Sequence, residues 1–272
     1  MKRLLILLVI VLAGKSVLAQ NLKGIYPTHW WVDMKKDTLQ IMLHGNSIGD
    51  NTFSIQQAGI SLLQTHKVEN KNYVFLDLLI APEAKPGKFT IAMQQGKKKE
   101  TITYELKPRR QGKGTAYAQG VTSTDFMYLI MPDRFANGDV SNDKLPGFKD
   151  KTFSRDSMYF RHSGDLKGIE NNLSYLEELG VTALWLNPVI ENDMPRTSYH
   201  GYAFTNHYKI DDRFGGEAAY KNLIDAMHKR GMKMVQDAVY NHVGTEHVTV
   251  LDMPMKDWLN QWPQFTQTSY RD

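Results

Sequence analysis

Between Phe126 and Val239 the chain repeats one unit, a short apolar run followed by an amphipathic one. FMYLIM (Phe126–Met131) is the first apolar run, and IENNLSYLEEL (Ile169–Leu179) spaces Ile169, Leu173, Leu176 and Leu179 at the helical period before Gly180 closes it. VTALWL (Val181–Leu186) is almost continuously apolar. AAYKNLIDAMHKRG (Ala218–Gly231) puts Tyr220, Leu223, Ile224 and Met227 on one face, and MKMVQDAV (Met232–Val239) is the third apolar run. Strand, helix, strand, helix, strand predicts a parallel sheet with crossover helices, because parallel neighbours need long connections and cover on both faces.

If these are the opening units of a (β/α)8 barrel, functional residues belong just past the carboxyl ends of the strands. The first strand is followed by PDRFANGDVSND (Pro132–Asp143) and the second by NPVIENDMPRTSYHGY (Asn187–Tyr202); the third carries Asp237 and delivers Asn241 and His242. An Asp, Asn and His after a strand also serve as caps and turn residues. Polar and aromatic residues at all three strand ends favour a site.

Upstream the period changes. TLQIML (Thr38–Leu43), YVFLDLLI (Tyr73–Ile80), KFTIAM (Lys88–Met93) and ETITYEL (Glu100–Leu106) are short runs separated by Gly, Pro and Asn turns, which predicts a β-sandwich over residues 20–110. A charged, glycine-rich linker spans 111–120, the first half of a barrel 121–244, and an excursion after its third strand 245–272. At the start, MKR, an eleven-residue apolar core and a small-residue pattern at Val17 and Ala19 predict a signal peptide over 1–19. That core is far short of the roughly 20 residues a bilayer span needs. The protein is therefore expected to be exported, periplasmic or secreted, with no membrane attachment after cleavage.

Removing the leader leaves 30 basic against 29 acidic residues, so the formal charge falls from +4 to near neutral. With only short basic clusters such as GKKKE (Gly96–Glu100), read as a hairpin turn, nucleic acid is not an expected partner. No cysteine is present, which excludes a disulfide framework and a lipid-modified cysteine.

DAVYNHV (Asp237–Val243) resembles the first signature of the α-amylase superfamily, glycoside hydrolase family 13. SYHGYAFTNHYKIDDRFGG (Ser198–Gly216) and the following LIDAMHKRGMKMVQDAVYNH (Leu223–His242) resemble that family's run between the second and third barrel strands. PDRFANGDVSND with HSGDLKGI (His162–Ile169) is similar to the calcium-binding segments of its cyclodextrin glycosyltransferase and neopullulanase branch. IYPTHWWVDMKKDTLQIMLHGNSI (Ile25–Ile48) resembles the N-terminal β-sandwich, immunoglobulin-like, of cyclomaltodextrinases and neopullulanases. The resemblance implies an α-glucan partner such as maltooligosaccharides, cyclodextrins or pullulan, cleaved at α-1,4 linkages, and a homodimer. It implies that Tyr202 stacks on the sugar, that His200 and His242 hydrogen-bond its hydroxyls, and that Asp237 holds an arginine that positions the nucleophile. A pyranose does need an aromatic platform with a polar rim. Where the family commonly has Asp four residues after the stacking tyrosine, this chain has Asn206.

Calcium is the expected cofactor. Asn137, Asp139, Asn142 and Asp143 crowd oxygen-bearing side chains around Gly138, while Asp165 returns a carboxylate and Ser163 a backbone carbonyl. Catalysis is a different matter. Retaining glycosidases need two carboxyl groups about 5–5.5 Å apart, and in the family these follow the fourth and fifth strands. The catalytic Asp and Glu are therefore expected beyond residue 272, and the chain as given is expected to be inactive and poorly soluble alone. A non-catalytic starch-binding or scaffold protein is the alternative, and an enzyme of trehalose or sucrose a third reading.

Overall fold

The computed structural model describes residues 22–112 and 119–264. The expected signal peptide (1–19), most of the expected linker and residues 265–272 lie outside the described residues. The chain divides into two compact units, one ending at Arg109 and the other beginning at Arg110.

Among the described residues the first unit holds eight strands: β1 (Leu22–Tyr26), β2 (Trp30–Trp31), β3 (Thr38–Gly45), β4 (Thr52–Ile55), β5 (Ile60–Lys67), β6 (Tyr73–Ile80), β7 (Gly87–Gln95) and β8 (Lys98–Lys107). They form two four-stranded sheets, ordered β1-β3-β6-β5 and β2-β8-β7-β4. Period-2 alternation drives the layering: Phe89, Ile91 and Met93 of β7 and Ile102, Tyr104 and Leu106 of β8 all turn inward. They meet Ile41, Leu43, Val74, Leu76 and Leu78 of the other sheet, and each fully buried side chain contributes about 1.5–3 kcal/mol. GKKKE does turn a hairpin: Gln95 pairs with Lys98, and Gly96 takes φ 58°, where glycine escapes the Cβ clash.

The second unit is built on β9 (Met127–Ile130), β10 (Ala183–Leu186) and β13 (Lys233–Gln236), with a short antiparallel pair, β11 (Ile190–Glu191) and β12 (Asn206–Ile210), beside them. Its helices are α1 (Pro132–Phe135), α2 (Leu166–Asn171), α3 (Leu173–Glu178), α4 (Gly216–Lys229) and α5 (Val248–Leu251). β9 and β13 flank β10 and both run parallel to it, as the alternation of elements predicted. Leu184 and Leu186 turn toward Ile169, Leu173 and Leu176 of the first crossover and Leu223 and Met227 of α4. On the opposite face Leu129 and Trp185 stay 53% and 39% exposed. Among the described residues, no helix is long and apolar enough to cross a membrane.

The structure corrects three expectations. The helix read over Ile169–Leu179 is two, because the Asn172 side chain bonds the Gly168 carbonyl at 2.7 Å and breaks the ladder between α2 and α3. Leu179 lies past α3 in the turn that closes on Gly180 (φ 86°), so it points outward, 45% exposed. The third strand ends at Gln236, not Val239, because its partner β10 stops at Leu186, two residues before Pro188. Asp237 is thus the first residue past the strand.

Candidate functional site

Asp237 stands at the carboxyl edge of the sheet, where β10 and β13 end in register. Its Oδ2 accepts hydrogen bonds from the Tyr202 hydroxyl at 3.0 Å and from Trp185 Nε1 at 3.2 Å. Both donors converge on one oxygen. The Tyr202 hydroxyl proton is committed to that contact, which fixes the orientation of the ring.

The loop carrying Tyr202 is bent by Gly201, at φ 82°, where a Cβ would collide with the Pro188 carbonyl oxygen. The turn brings the Tyr202 backbone N–H onto His200 Nδ1 at 2.9 Å, with the two rings 6.0 Å apart and 22° from parallel. Because Nδ1 accepts, a neutral His200 carries its proton on Nε2, ready to donate. Burial, then the neighbouring His242, lowers the His200 pKa and keeps it neutral. Burial, then the hydrogen bond and charge of Asp237, raises that of Tyr202. His242 Nε2 donates to the Tyr202 carbonyl at 2.9 Å, while its Nδ1 faces Asn241 Nδ2 at 3.4 Å. The structure therefore gathers all four expected residues, His200, Tyr202, Asp237 and His242, with His242 already engaged by the protein.

Asn206 does not join them. Its Oδ1 accepts from the Tyr208 N–H at 3.0 Å and starts β12. Trp185, which does join, escaped the sequence reading because it sits in an almost unbroken apolar run. The period-2 alternation held the clue, since Trp185 must face away from Leu184 and Leu186.

A buried ionic network fixes the base of this loop. Arg213 binds Asp211 through Nε at 2.9 Å and Nη2 at 2.7 Å, reaches the Asn192 carbonyl at 2.7 Å and donates to Ser198 Oγ at 3.0 Å. Asp150 Oδ2 takes the Ser198 N–H and hydroxyl at 3.0 and 2.8 Å. Burial opposes charge on Asp211, but the hydrogen bond and charge of Arg213, with the charge of Arg161, hold its carboxyl below the usual range. Ser198 lies two residues before His200, so this network anchors the platform.

The expected calcium residues also gather, in an order the sequence did not give. Asp165, fully buried, is saturated by donors: Oδ1 takes the N–H groups of Gly138 (3.1 Å) and Gly168 (2.6 Å), and Oδ2 those of Asp139 (2.9 Å) and Asn142 Nδ2 (3.1 Å). Asp139 Oδ1 caps Ser141, and Asn137 Nδ2 donates to Asp143 Oδ1 at 2.7 Å. Left buried without a hydrogen-bond partner are Asn137 Oδ1, Asn142 Oδ1 and the Ser163 hydroxyl. Among the described residues, no three His, Cys, Asp or Glu side chains are grouped to hold a metal. Two orphaned amide oxygens, one on the Asn137 side chain that holds Asp143 and one on the Asn142 side chain that binds Asp165, suit a hard, oxygen-seeking cation.

The fold and the cluster define an α/β protein with functional groups at the carboxyl ends of parallel strands, preceded in the chain by a β-sandwich. Residues 129–269, just over half the chain, match the α-amylase catalytic domain, and residues 24–110 match the cyclomaltodextrinase N-terminal domain. The chain belongs to the α-amylase family. It is 42% identical over 134 residues to neopullulanase 2 of Thermoactinomyces vulgaris, covering 48% of this chain and 22% of that protein. A cyclomaltodextrinase of Thermoanaerobacter pseudethanolicus is 31% identical over 71% of this chain and 35% of its own length. The periplasmic α-amylase of Escherichia coli is 36% identical over 47% of this chain and 20% of its own length. The chain thus spans between a fifth and about a third of these relatives.

Proposed function

We propose that the chain supplies the sandwich module and the first three βα units of a (β/α)8 barrel in a retaining α-glucan hydrolase acting on α-1,4 linkages of maltooligosaccharides, cyclodextrins or pullulan. The observation that carries this reading is the fixed Tyr202 ring, its hydroxyl held by Asp237 and its neighbour His200 presenting Nε2–H. A flat aromatic face beside a neutral donor fits the apolar face and hydroxyl rim of a glucose unit. The names of the matching relatives, a neopullulanase and a cyclomaltodextrinase, support the glucan class. Within this cluster Asp237 is the single carboxylate, whereas a retaining hydrolase uses two about 5–5.5 Å apart. These residues therefore hold and orient the sugar, and the bond-breaking pair lies outside the cluster.

Calcium belongs to this proposal. Asn137, Asp139, Asn142, Asp143 and the Ser163 carbonyl would hold it, with Asp165, its oxygens already taken by N–H donors, positioning Asn142 rather than ligating, and the two orphaned amide oxygens support the assignment. When bound, the ion supplies positive charge that cross-braces the loops after β9 and before α2. Export directed by residues 1–19 is likewise part of the proposal; mass spectrometry of the exported protein should find Gln20 at its start.

The test is titration of maltoheptaose, β-cyclodextrin, pullulan and sucrose into the chain and its Tyr202→Ala variant, followed by NMR and calorimetry. Binding of the α-1,4 glucans that is lost in the variant supports the reading; response to sucrose alone overturns it. Binding without cleavage by any longer form of the protein would favour a non-catalytic starch-binding role.

A further inference from the structure

Two imidazoles outside the Tyr202 cluster face one another: His207 Nδ1 lies 3.1 Å from His247 Nε2, with the rings 5.0 Å apart at 82°. His247 is buried and caps α5, its Nδ1 accepting from the Thr249 N–H at 3.2 Å beside the Thr249 hydroxyl at 2.9 Å. A backbone N–H can only donate, so His247 Nδ1 is bare and its proton sits on Nε2. That proton is donated to His207 Nδ1, which leaves the His207 proton on Nε2. The contact tolerates this one pair of tautomers. The segment His247 belongs to is tied to the Tyr202 loop at two further points: His242 Nε2 to the Tyr202 carbonyl, and Gly244 N–H to the Phe204 carbonyl at 2.9 Å. At Gly244 a Cβ would meet the Ala203 carbonyl, so the two backbones touch.

We infer that His207 and His247 form a proton-operated latch that fastens the segment Gly244–Asp252 to the loop carrying Tyr202 and releases it on acidification. A proton added at His247 Nδ1 sets N–H against the Thr249 N–H and uncaps α5. A proton added at His207 Nδ1 sets N–H against the His247 Nε2–H. Either event puts a positive charge into the contact, and both together put two charges about 3 Å apart. The charged groups on the same elements are engaged elsewhere: Lys209 of β12 with Glu191 and Asp212, and Glu246 with Lys149, whose backbone N–H also binds Asp193. Asp252 lies at the far end of α5. His200 and His242 contact Tyr202 and add no negative charge. Burial lowers the pKa of His207, and burial followed by repulsion from His207 lowers that of His247 to about 4. A histidine whose folded pKa is depressed stabilises the closed form fully above its unfolded value near 6.5, and that stabilisation fades as pH falls toward the folded value. The window of release runs from about 6.5 down to about 4.

The test is hydrogen–deuterium exchange of the whole chain across pH 7.5 to 4, corrected for intrinsic exchange, with the β7–β8 hairpin as internal control. Peptides covering Gly244–Asp252 should lose at least about tenfold protection through the window while the hairpin does not. His247→Asn keeps an acceptor at the cap but has no ring to meet His207, so its segment should be less protected than the wild type at pH 7.5 and should show no further loss through the window. Should that variant fail to fold, ¹⁵N NMR of the unmodified chain at pH 7.5 reads the tautomer directly: His247 must carry its proton on Nε2. Protection of the segment that follows the hairpin at every pH, a wild-type pH response in His247→Asn, or a proton on His247 Nδ1 would each overturn the latch.

Discussion

Replacing Arg213 with methionine should cost the second unit about 3–5 kcal/mol, the usual consequence of leaving one partner of a buried ion pair behind. Arg213 and Asp211 are both almost wholly buried, and the guanidinium makes two hydrogen bonds to the carboxylate, one to the Asn192 carbonyl and one to the Ser198 hydroxyl. Methionine fills most of the volume, so cavity formation adds little and the loss is electrostatic. Measured against a domain stability of about 5–15 kcal/mol, that is a large fraction. In urea, with a slope of about 2 kcal/mol/M, the midpoint of the second unit should fall by about 2 M while the sandwich transition stays in place. The pH dependence supplies a second check. In the native protein Asp211 is held below its usual pKa, so it contributes stability above the unfolded value near 3.9 that is lost as pH falls through the folded value. In the variant Asp211 stays buried but loses its main counter-ion, with the charge of Arg161 remaining, so protonation becomes easier than in the native protein. The penalty should therefore be greatest at neutral pH and shrink on acidification, and adding Asp211→Asn should recover much of it. A penalty below about 1 kcal/mol, or one that is flat from pH 7 to 4, would refute the argument that this pair anchors the platform loop.

Trp185→Phe removes the second donor to Asp237 Oδ2 while keeping an aromatic ring, and should weaken maltoheptaose binding about tenfold in calorimetry, in keeping with one charge-assisted hydrogen bond. Gly201→Ala forces a Cβ onto the Pro188 carbonyl at positive φ, and thermal unfolding should show about 2 kcal/mol or more lost together with sugar binding. Calcium added to chelator-treated protein should raise the melting temperature, with about 2.7 kcal/mol gained at a hundredfold excess over Kd, and Asn142→Leu should abolish the response; unchanged calorimetry would remove calcium from the proposal. The purified 272-residue chain should release no product from maltooligosaccharides, and cleavage abolished by mutating an acid within it would show that the catalytic pair lies inside these residues.

The sequence by itself determined the layers and part of the elements: it marked β3, β6, β7 and β8 of the sandwich and the three parallel strands, but not β1, β2, β4 or β5. Alternation in KFTIAM and ETITYEL set the inward residues of the sandwich, and helical spacing of Leu223 and Met227 set the face that α4 buries, because period reports directly which side of an element is apolar. Resemblance in DAVYNHV and its neighbours led to His200, Tyr202, Asp237 and His242, and the fold brings them together. Partners across long separations were another matter. Trp185 and Asp237 are 52 residues apart, His207 and His247 are 40, and Asn142 and Asp165 are 23. Composition could say that Asp165 is acidic, but only the folded loop decided that four N–H donors would surround it. The helix between β9 and β10 looked continuous for the same reason: the periodicity of Ile169, Leu173 and Leu176 survives a break that a single side-chain bond from Asn172 introduces. Local pattern fixes what each segment becomes, whereas the destination of a polar group is chosen by which backbone the tertiary packing carries to within about 3 Å of it.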